Sequence, residues 1–317
     1  MNKLCVVVIN YKTPYMTIRC ADSLLSGLAG ILSKIIIVDN NSGDESIEVM
    51  SSWIKRNGVN DVVNIISSSI NGGFSYGCNL GASSCDSEYL LFINSDALVE
   101  KNSIKIMLSI IERGRRIGIL APEVHSQYGE IEKSRFYNKT PLNEFLKAAG
   151  TGVITKVFNT LGVHEVAQYI DDINTPPEWV SFVCVLLSRK MYAQVGDLDE
   201  GYFMYSEDND YCRRMVTNGW KLAITNKAKV VHFNKGLSNA KGKRLPAFYY
   251  ASRARYFRKH YGCLGLLVAN CLFMLGMFIR YLRYLIGKGI PYKHKLSVFD
   301  IWRNFLYPLR CREIKRD

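Results

Sequence analysis

Two acidic clusters in this 317-residue chain carry side chains that could do chemistry. In the first, an apolar run over residues 89–93 breaks into Asn94-Ser95-Asp96 and then turns apolar again. Asn, Ser and Asp favour turns because they bond their own backbone. The same triplet can hold a carboxylate out at the edge of a sheet, where ligands collect. The second cluster is Ser206-Glu207-Asp208-Asn209-Asp210. Acidic residues suit a helix N-terminus through the helix dipole, so plain capping is one reading. Three carboxylates within four residues exceed what one cap requires. Their repulsion must be offset by a cation, a metal or a proton. A carboxylate held there can act as a general base, with Arg213 or Arg214 balancing its neighbours. His232 closes a third stretch, "AKVVHF". A lone histidine at a strand end is ordinarily structural. Beside Asp96 it gives a mixed oxygen and nitrogen donor set suited to a hard divalent ion.

The elements that must position these residues alternate in type. Short β-branched runs cover residues 4–9, 34–38, 62–66, 89–93 and 117–120, and helical patterns cover residues 17–28, 44–57, 75–84 and 103–113. Such alternation predicts βαβ units and a mostly parallel sheet covered on both faces. In such a sheet ligands bind beyond the carboxyl ends of the strands. Four successive predicted strands end in polar residues: Asn10-Tyr11, Asp39 in "VDNNSGDES", the loop "NGGFSYGCNLG", and Asn94-Ser95-Asp96. One polar strand end is a turn; four in succession describe a rim of convergent polar groups. The glycine-rich loop has neither GxGxxG spacing nor a following Gly-Lys-Ser, so it is not a dinucleotide or P-loop fingerprint. Gly72 and Gly73 still permit a close backbone approach to a ligand, or a flexible start to the next helix.

From residue 122 to 178 the pattern weakens, with one helical stretch at about 142–161, and the segment reads as an excursion over the sheet. Regularity returns with a strand at 179–188, a helix at about 206–218, and two short strands, "WKLAIT" and "AKVVHF".

In their order along residues 4–238 these stretches resemble inverting, nucleotide-sugar-dependent glycosyltransferases of family 2, with the GT-A fold. The similarity is to a rhamnosyltransferase-like branch of bacterial surface-polysaccharide enzymes. It rests on "VVVINYKTPYMTIRCADSLL", "IIIVDNNSGDES", "NGGFSYGCNLGA", "LLFINSDALV" and "VGDLDEGYFMYSEDNDYCRRMVTNGWKLAITNKAKVVHF". The resemblance implies that Asp39 contacts the nucleotide base, with Asn10 and Tyr11 lining that pocket. It implies that Asn71, Gly73, Phe74, Asn79 and Ser95 border the nucleotide or sugar. Asp96 would bind Mg²⁺ or Mn²⁺ through the diphosphate, with His232 as second ligand. Asp208 would be the general base, with Glu207 beside it as the alternative. Asn94 replaces the acidic first residue of a strict DxD and leaves one carboxylate at the metal site. Phe182 stands where relatives carry a small residue, and would reshape the sugar or acceptor pocket. The implied reaction moves a sugar from a dTDP- or UDP-linked donor, rhamnose among the candidates, to a hydroxyl of a lipid-linked glycan. A sugar nucleotidyltransferase and a non-catalytic membrane assembly protein are the alternatives.

The charge is divided unevenly. Residues 1–226 hold 21 Lys and Arg against 25 Asp and Glu; residues 227–317 hold 20 against 3. The resemblance implies a GT-A domain at 1–238, with a nucleotide part to about 120 and an acceptor and base part at about 179–238, and nearly all the excess positive charge lies beyond it. A basic, partly apolar helical extension follows at 239–317. The uncharged stretch 262–279 lies between basic flanks. Leu264, Leu267, Val268, Cys271, Leu275, Phe278 and Leu282 fall along one helix face, which predicts a helix lying in an anionic membrane surface. A second interfacial helix is expected near Trp302 and Tyr307. A basic run beside an apolar segment, with no reader motif, argues against nucleic acid as partner. Nine scattered cysteines without a CxxC pair, and an N-terminus lacking a signal-peptide pattern, fit a reduced, cytosolic compartment; with the apolar helix and the resemblance, the expected location is the cytoplasmic face of the inner membrane.

Overall fold

The structure is a computed structural model, described here for residues 1–152, 157, 176–233, 245–287 and 296–306. The first half alternates as the periodicity requires. Strands β1 (Asn2–Asn10), β2 (Ser33–Asp39), β3 (Val63–Ser67) and β4 (Ser87–Asn94) alternate with helices α1 (Pro14–Gly27), α2 (Ser46–Asn57) and α3 (Gly73–Ser83). The chain then makes β5 (Ala97–Val99), α4 (Ser103–Arg113) and β6 (Ile117–Ser126). A small sheet pairs β7 (Arg135–Phe136) with β8 (Trp179–Val180), and α5 (Pro141–Ala149) lies between them in sequence. The rest comprises β9 (Cys184–Ser188), α6 (Arg189–Val195), α7 (Glu207–Thr217), β10 (Lys221–His232), α8 (Ala247–Leu285) and α9 (Val298–Leu306).

The main sheet has the order β3-β2-β1-β4-β9-β6-β10-β5. β1, β2, β3 and β4 run parallel, as do β6 and β10, while β9 is antiparallel to both β4 and β6. Side chains alternate across a strand, so β1 feeds two cores. Leu4, Val6 and Val8 pack with Leu24 of α1, Met50 of α2 and Met107 of α4. Cys5 and Val7 face Cys78 of α3, Met191 of α6 and Tyr211 of α7. Both faces are covered, which is why "CVVVI" is apolar throughout.

Four sequence expectations change here. The predicted strand 179–188 is two strands in two sheets, because Trp179 stacks on Phe136 at 4.3 Å before the chain crosses into β9. The two predicted strands "WKLAIT" and "AKVVHF" are one, β10, with its register to β6 shifted between Thr225 and Lys229. The helix expected at 142–161 is interrupted after Ala149, where Gly150 takes the left-handed conformation (φ 56°) that suits a glycine C-cap; beyond it Gly152 and Val157 are again helical, and residues 153–156 and 158–161 lie outside the described residues. β5 went unread: the residues after Asp96 reverse direction and pair antiparallel with the end of β10.

The long helix α8 packs against α5. α8 turns at Gly262, where φ is 71°. Its Gly276 lies so close to α5 that an added Cβ would sit 2.7 Å from the Phe145 carbonyl oxygen. Arg280 donates to the carbonyls of Lys147 and Ala148, and Arg283 to that of Gly150. These guanidiniums satisfy carbonyls that a helix C-terminus leaves without partners. A buried ion pair, Arg253 Nε to Glu144 Oε2 at 2.6 Å, ties the same two helices. The boundary expected at 238 falls among residues outside those described.

Candidate active site

The polar strand ends form a connected rim. Asn10 and Asp39 are register partners at the ends of β1 and β2. Asn10 Nδ2 donates to Asp39 Oδ1 at 2.7 Å, and Ser42 donates to the same oxygen through its hydroxyl at 2.6 Å and to Oδ2 through its backbone N–H at 3.0 Å. Thr17 donates to Asn10 Oδ1. The Asp39 carboxylate is thus fixed by three donors and almost fully buried, while Tyr11 next to Asn10 is 44% exposed. On one side, Asn40 bonds Asn71 Oδ1 and the Gly73 carbonyl, which holds the glycine-rich loop against β2. On the other, Thr13 meets Ser95 across 3.4 Å between hydroxyls.

Gly73 has two reasons to be glycine. Its φ is +85°, and a Cβ would lie 2.1 Å from the Phe203 carbonyl oxygen. That oxygen accepts the Phe74 N–H at 2.8 Å. The glycine-rich loop therefore abuts the segment leading into the acidic helix. Asn79 plays a different part from the one expected. Its amide bonds Tyr192, both backbone groups of Leu198, and Glu200. These four bonds use the amide's capacity, so Asn79 anchors the loop at 198–200 instead of facing a nucleotide. Phe182 is likewise a core residue, buried and packed edge-on against Tyr211.

Asp96 answers the question its triplet raised, because the turn and the carboxylate are one feature. The Asp96 carbonyl accepts the Phe233 N–H, locking the β4–β5 turn onto the end of β10. There His232 Nε2 lies 3.3 Å from Asp96 Oδ1, and Nδ1 lies 3.0 Å from Glu132 Oε2. Burial alone would lower the His232 pKa, but hydrogen bonds with Asp96 and Glu132 raise it. The donor set fits a divalent ion. Adjacent ligands of an octahedral ion with bonds of about 2.1 Å stand about 3 Å apart, close to the Asp96–His232 separation. Glu132 accepting Nδ1–H would leave the Nε2 lone pair facing Asp96, the orientation a carboxylate gives a metal-binding histidine. Among the described residues no three His, Cys, Asp or Glu side chains converge on one point. Asn94 sits at the strand end, with its backbone bonded to Val183.

The second acidic cluster resolves into three environments. Asp210 is fully buried and meets Arg214, Lys259, His260 and Tyr202. Burial raises its pKa, but hydrogen bonds from His260 and Lys259 outweigh this and hold it well below the usual range. Arg214 is the balancing arginine; Arg213 turns instead to Tyr256 and Tyr261. Glu207 is buried, its Oε2 without a hydrogen-bond partner, and burial together with the Asp208 charge raises its pKa. Asp208 is half-buried; burial raises its pKa and the Lys139 charge opposes that rise. A raised carboxylate at neutral pH is a competent proton acceptor. Tyr205 and Ser206 both have left-handed φ, 72° and 71°. For residues other than glycine this costs about 1–3 kcal/mol each and collects at functional sites. Lys139 donates to Ser206 Oγ at 2.6 Å and helps hold that turn.

Glu132 and Lys139 were missed from sequence. Both lie in the irregular segment read as a cover, and no spacing links Glu132 to His232, one hundred residues away.

The curled, mostly parallel sheet with its acidic rim defines a GT-A-like α/β glycosyltransferase fold, and solved structures agree. A mannosyltransferase from Pyrobaculum calidifontis, in complex with GDP-Man and Mn²⁺, superposes with TM-score 0.57 over 90% of this chain and 76% of its own, at 11% identity. GalNAc-T7 with UDP, GalNAc and Mn²⁺ gives TM-score 0.57 over 90% of this chain and 55% of its own, at 14% identity. The chain belongs to glycosyl transferase family 2, whose model matches residues 5–163. Among named relatives, the low-salt glycan biosynthesis hexosyltransferase Agl10 of Haloferax volcanii is 25% identical over 68% of this chain and 62% of its own length. An N-acetylglucosaminyl-diphospho-decaprenol L-rhamnosyltransferase of Mycobacterium tuberculosis is 27% identical over 46% of this chain and 47% of its own. The chain thus spans about half to three fifths of these relatives.

Proposed function

We propose that this glycosyltransferase transfers a hexose, with inversion, from a dTDP- or UDP-linked donor to a hydroxyl of a lipid-linked saccharide in surface-glycan synthesis. Two observations carry the reading: Asp96 lies against His232 at the ends of β4 and β10, and Asp208 stands half-buried in the first turn of α7. Asp39 and Tyr11 frame the base of the nucleotide, while Asn10, fully buried with its amide used by Asp39, Ser42, Thr13 and Thr17, holds the Asp39 carboxylate in place instead of lining the pocket as expected; Asn71, Gly73, Phe74 and Ser95 border the nucleotide or sugar. Asp96 and His232 would hold Mg²⁺ or Mn²⁺, as the donor set suits. Such an ion would stabilise charge developing on the leaving diphosphate. Asp208 accepts the proton of the acceptor hydroxyl as it attacks. Inversion is supported by the state of the neighbouring carboxylates among the described residues: Asp210 is buried among cations, and Glu207 is buried with a raised pKa, which leaves Asp208 to act as a base. The single displacement then needs one base.

A membrane surface as second partner is supported by α8. It is long and apolar enough to cross a membrane, yet only 28% of its most apolar window is buried. Leu264, Val268, Cys271, Leu275, Phe278, Leu282 and Leu285 recur every three to four residues and are exposed, whereas Leu266, Ala269, Phe273 and Gly276 face the protein. This outward stripe suits the cytoplasmic face of an inner membrane, where lipid-linked acceptors reside.

The test is thermal shift with a panel of nucleoside diphosphates and nucleotide sugars, with and without Mn²⁺, since a ligand of the native state raises its stability. A shift from dTDP or UDP that grows with Mn²⁺ is expected. No shift with any nucleotide overturns the reading.

A further inference from the structure

We infer that Phe203, Tyr205, Phe248 and Tyr249 form an aromatic wall that binds the pyranose ring of the acceptor, a subsite built jointly by the base loop and the first turn of α8. The inference rests on the glycosyltransferase reading for the word acceptor, but the binding surface stands on its own geometry. Phe203 and Phe248 have ring centroids 5.2 Å apart, and Tyr205 stacks on Phe248 at 6.0 Å with 23° between planes. Tyr249 meets Tyr205 edge-on at 5.9 Å. All four rings are half-buried, so each keeps surface for a ligand.

The wall's position gives it its use. Its loop is pinned on one side to the glycine-rich donor loop, where the Phe203 carbonyl accepts the Phe74 N–H. On the other side Ser252 Oγ donates to the Met204 carbonyl at 2.8 Å, which fixes the loop to α8. Tyr205 and Ser206 carry the consecutive left-handed φ values, and Asp208 follows two residues later. A ring seated on this wall would therefore meet the loop that is bonded to the glycine-rich loop and that leads into Asp208. The left-handed turn costs stability and sets Tyr205 against Phe248 three residues before Asp208, which gives that cost a purpose.

The chemistry of the wall favours a sugar over a lipid chain. A pyranose has an apolar C–H face and a rim of hydroxyls. Tyr205 and Tyr249 combine an apolar face with a polar tip in the same way. The charged groups nearby, Asp208 and Lys139, suit hydroxyls and would penalise a hydrocarbon chain. The uninterrupted apolar stripe on the second half of α8 is the surface for lipid.

The experiment is saturation-transfer NMR on the full chain with methyl pyranosides of glucose, galactose, mannose, N-acetylglucosamine and rhamnose, and with geranyl phosphate as the lipid probe. At least one pyranoside should show transfer. Phe248→Leu should weaken it roughly 3- to 10-fold, the worth of one aromatic contact. Phe248→Tyr should retain it, and Tyr249→Ser serves if Phe248→Leu fails to fold. The thermal shift given by dTDP or UDP with Mn²⁺ should stay unchanged in these variants. Equal pyranoside transfer in wild type and Phe248→Leu, or transfer to geranyl phosphate alone, overturns the wall. Pyranoside binding that needs Phe248 in a protein deaf to every nucleotide keeps the wall and discards the transferase reading, so the two failures are distinct.

Discussion

His260 Nε2 lies 2.8 Å from Asp210 Oδ1, which joins α8 to the acidic helix α7. Lys259 Nζ reaches the same carboxylate at 2.8 Å and Asp199 at 2.8 Å. Asp199 in turn takes Arg255 at 2.7 Å. Much of the positive charge in the first half of α8 is therefore spent on pinning the acidic helix and its preceding loop.

The first consequence concerns stability. Removing one partner of a buried ion pair costs about 3–5 kcal/mol, because the other is left buried and uncompensated. Asp210→Asn should therefore lower the melting temperature markedly, and ending the chain before α8 should abolish cooperative unfolding. Because the Asp210 pKa is depressed in the fold, its contribution is complete above the ordinary carboxylate pKa and is lost as pH falls through the folded value. Calorimetry of Asp210→Asn against wild type should show the gap closing on acidification. A stable, cooperatively folding truncation would show that α8 is dispensable.

The base assignment makes a kinetic prediction. Asp208→Asn should reduce turnover about 10²–10⁴-fold, the usual worth of a positioned base, with donor binding unchanged. The Asp208 pKa is raised, so activity should climb with pH through a midpoint above the ordinary aspartate value of about 3.9. Lys139→Met removes the charge that opposes the rise, and should move that midpoint further upward. An unmoved midpoint in Lys139→Met would separate Lys139 from the base.

For the ion, the informative variant is Glu132→Gln. If Glu132 orients His232, the substitution should weaken Mn²⁺ affinity about 10–100-fold, the usual effect of losing such a partner. His232→Ala and Asp96→Ala should weaken it more. The His232 pKa is raised, so Mn²⁺ must displace a proton, and affinity should fall as pH drops through that value. Titration calorimetry of Mn²⁺ into protein with nucleoside diphosphate reads all four. Full turnover in excess chelator would remove the ion and these roles together.

Gly73→Ala tests the junction between the glycine-rich loop and the segment leading into α7. The new Cβ would collide with a backbone carbonyl, at a φ that alanine rarely adopts. Destabilisation above about 1 kcal/mol and weaker nucleotide binding are expected. Normal nucleotide binding in Gly73→Ala would mean the loop can yield without consequence.

The outward stripe predicts how the protein meets lipid. Replacing Leu275, Phe278 and Leu282 with serine should reduce flotation with anionic liposomes while leaving the fold intact, since all three are exposed. Salt should weaken wild-type flotation without abolishing it, because the apolar contact is not screened. Flotation unchanged by the three serines would place the contact elsewhere.

What the sequence determined by itself was local. Apolar periods set the first four strands and their helices, since a strand buried on both faces must be apolar throughout and a half-buried helix must repeat every three to four residues. The polar strand ends gave Asn10, Asp39 and Asp96, because in a parallel sheet those ends share one edge. Even the α8 stripe was legible, as a single helix face. What tertiary structure decided was every pairing across long separations. Sequence showed three carboxylates near the start of α7; only packing assigned Asp210 to Lys259 and His260, buried Glu207, and left Asp208 half-exposed. Glu132 could not be found, because nothing in an irregular segment encodes that it will meet His232. Asn79 and Phe182 were misread for the same reason. Residue type states what a side chain can do, but its neighbours decide whether its hydrogen bonds and surface are already taken.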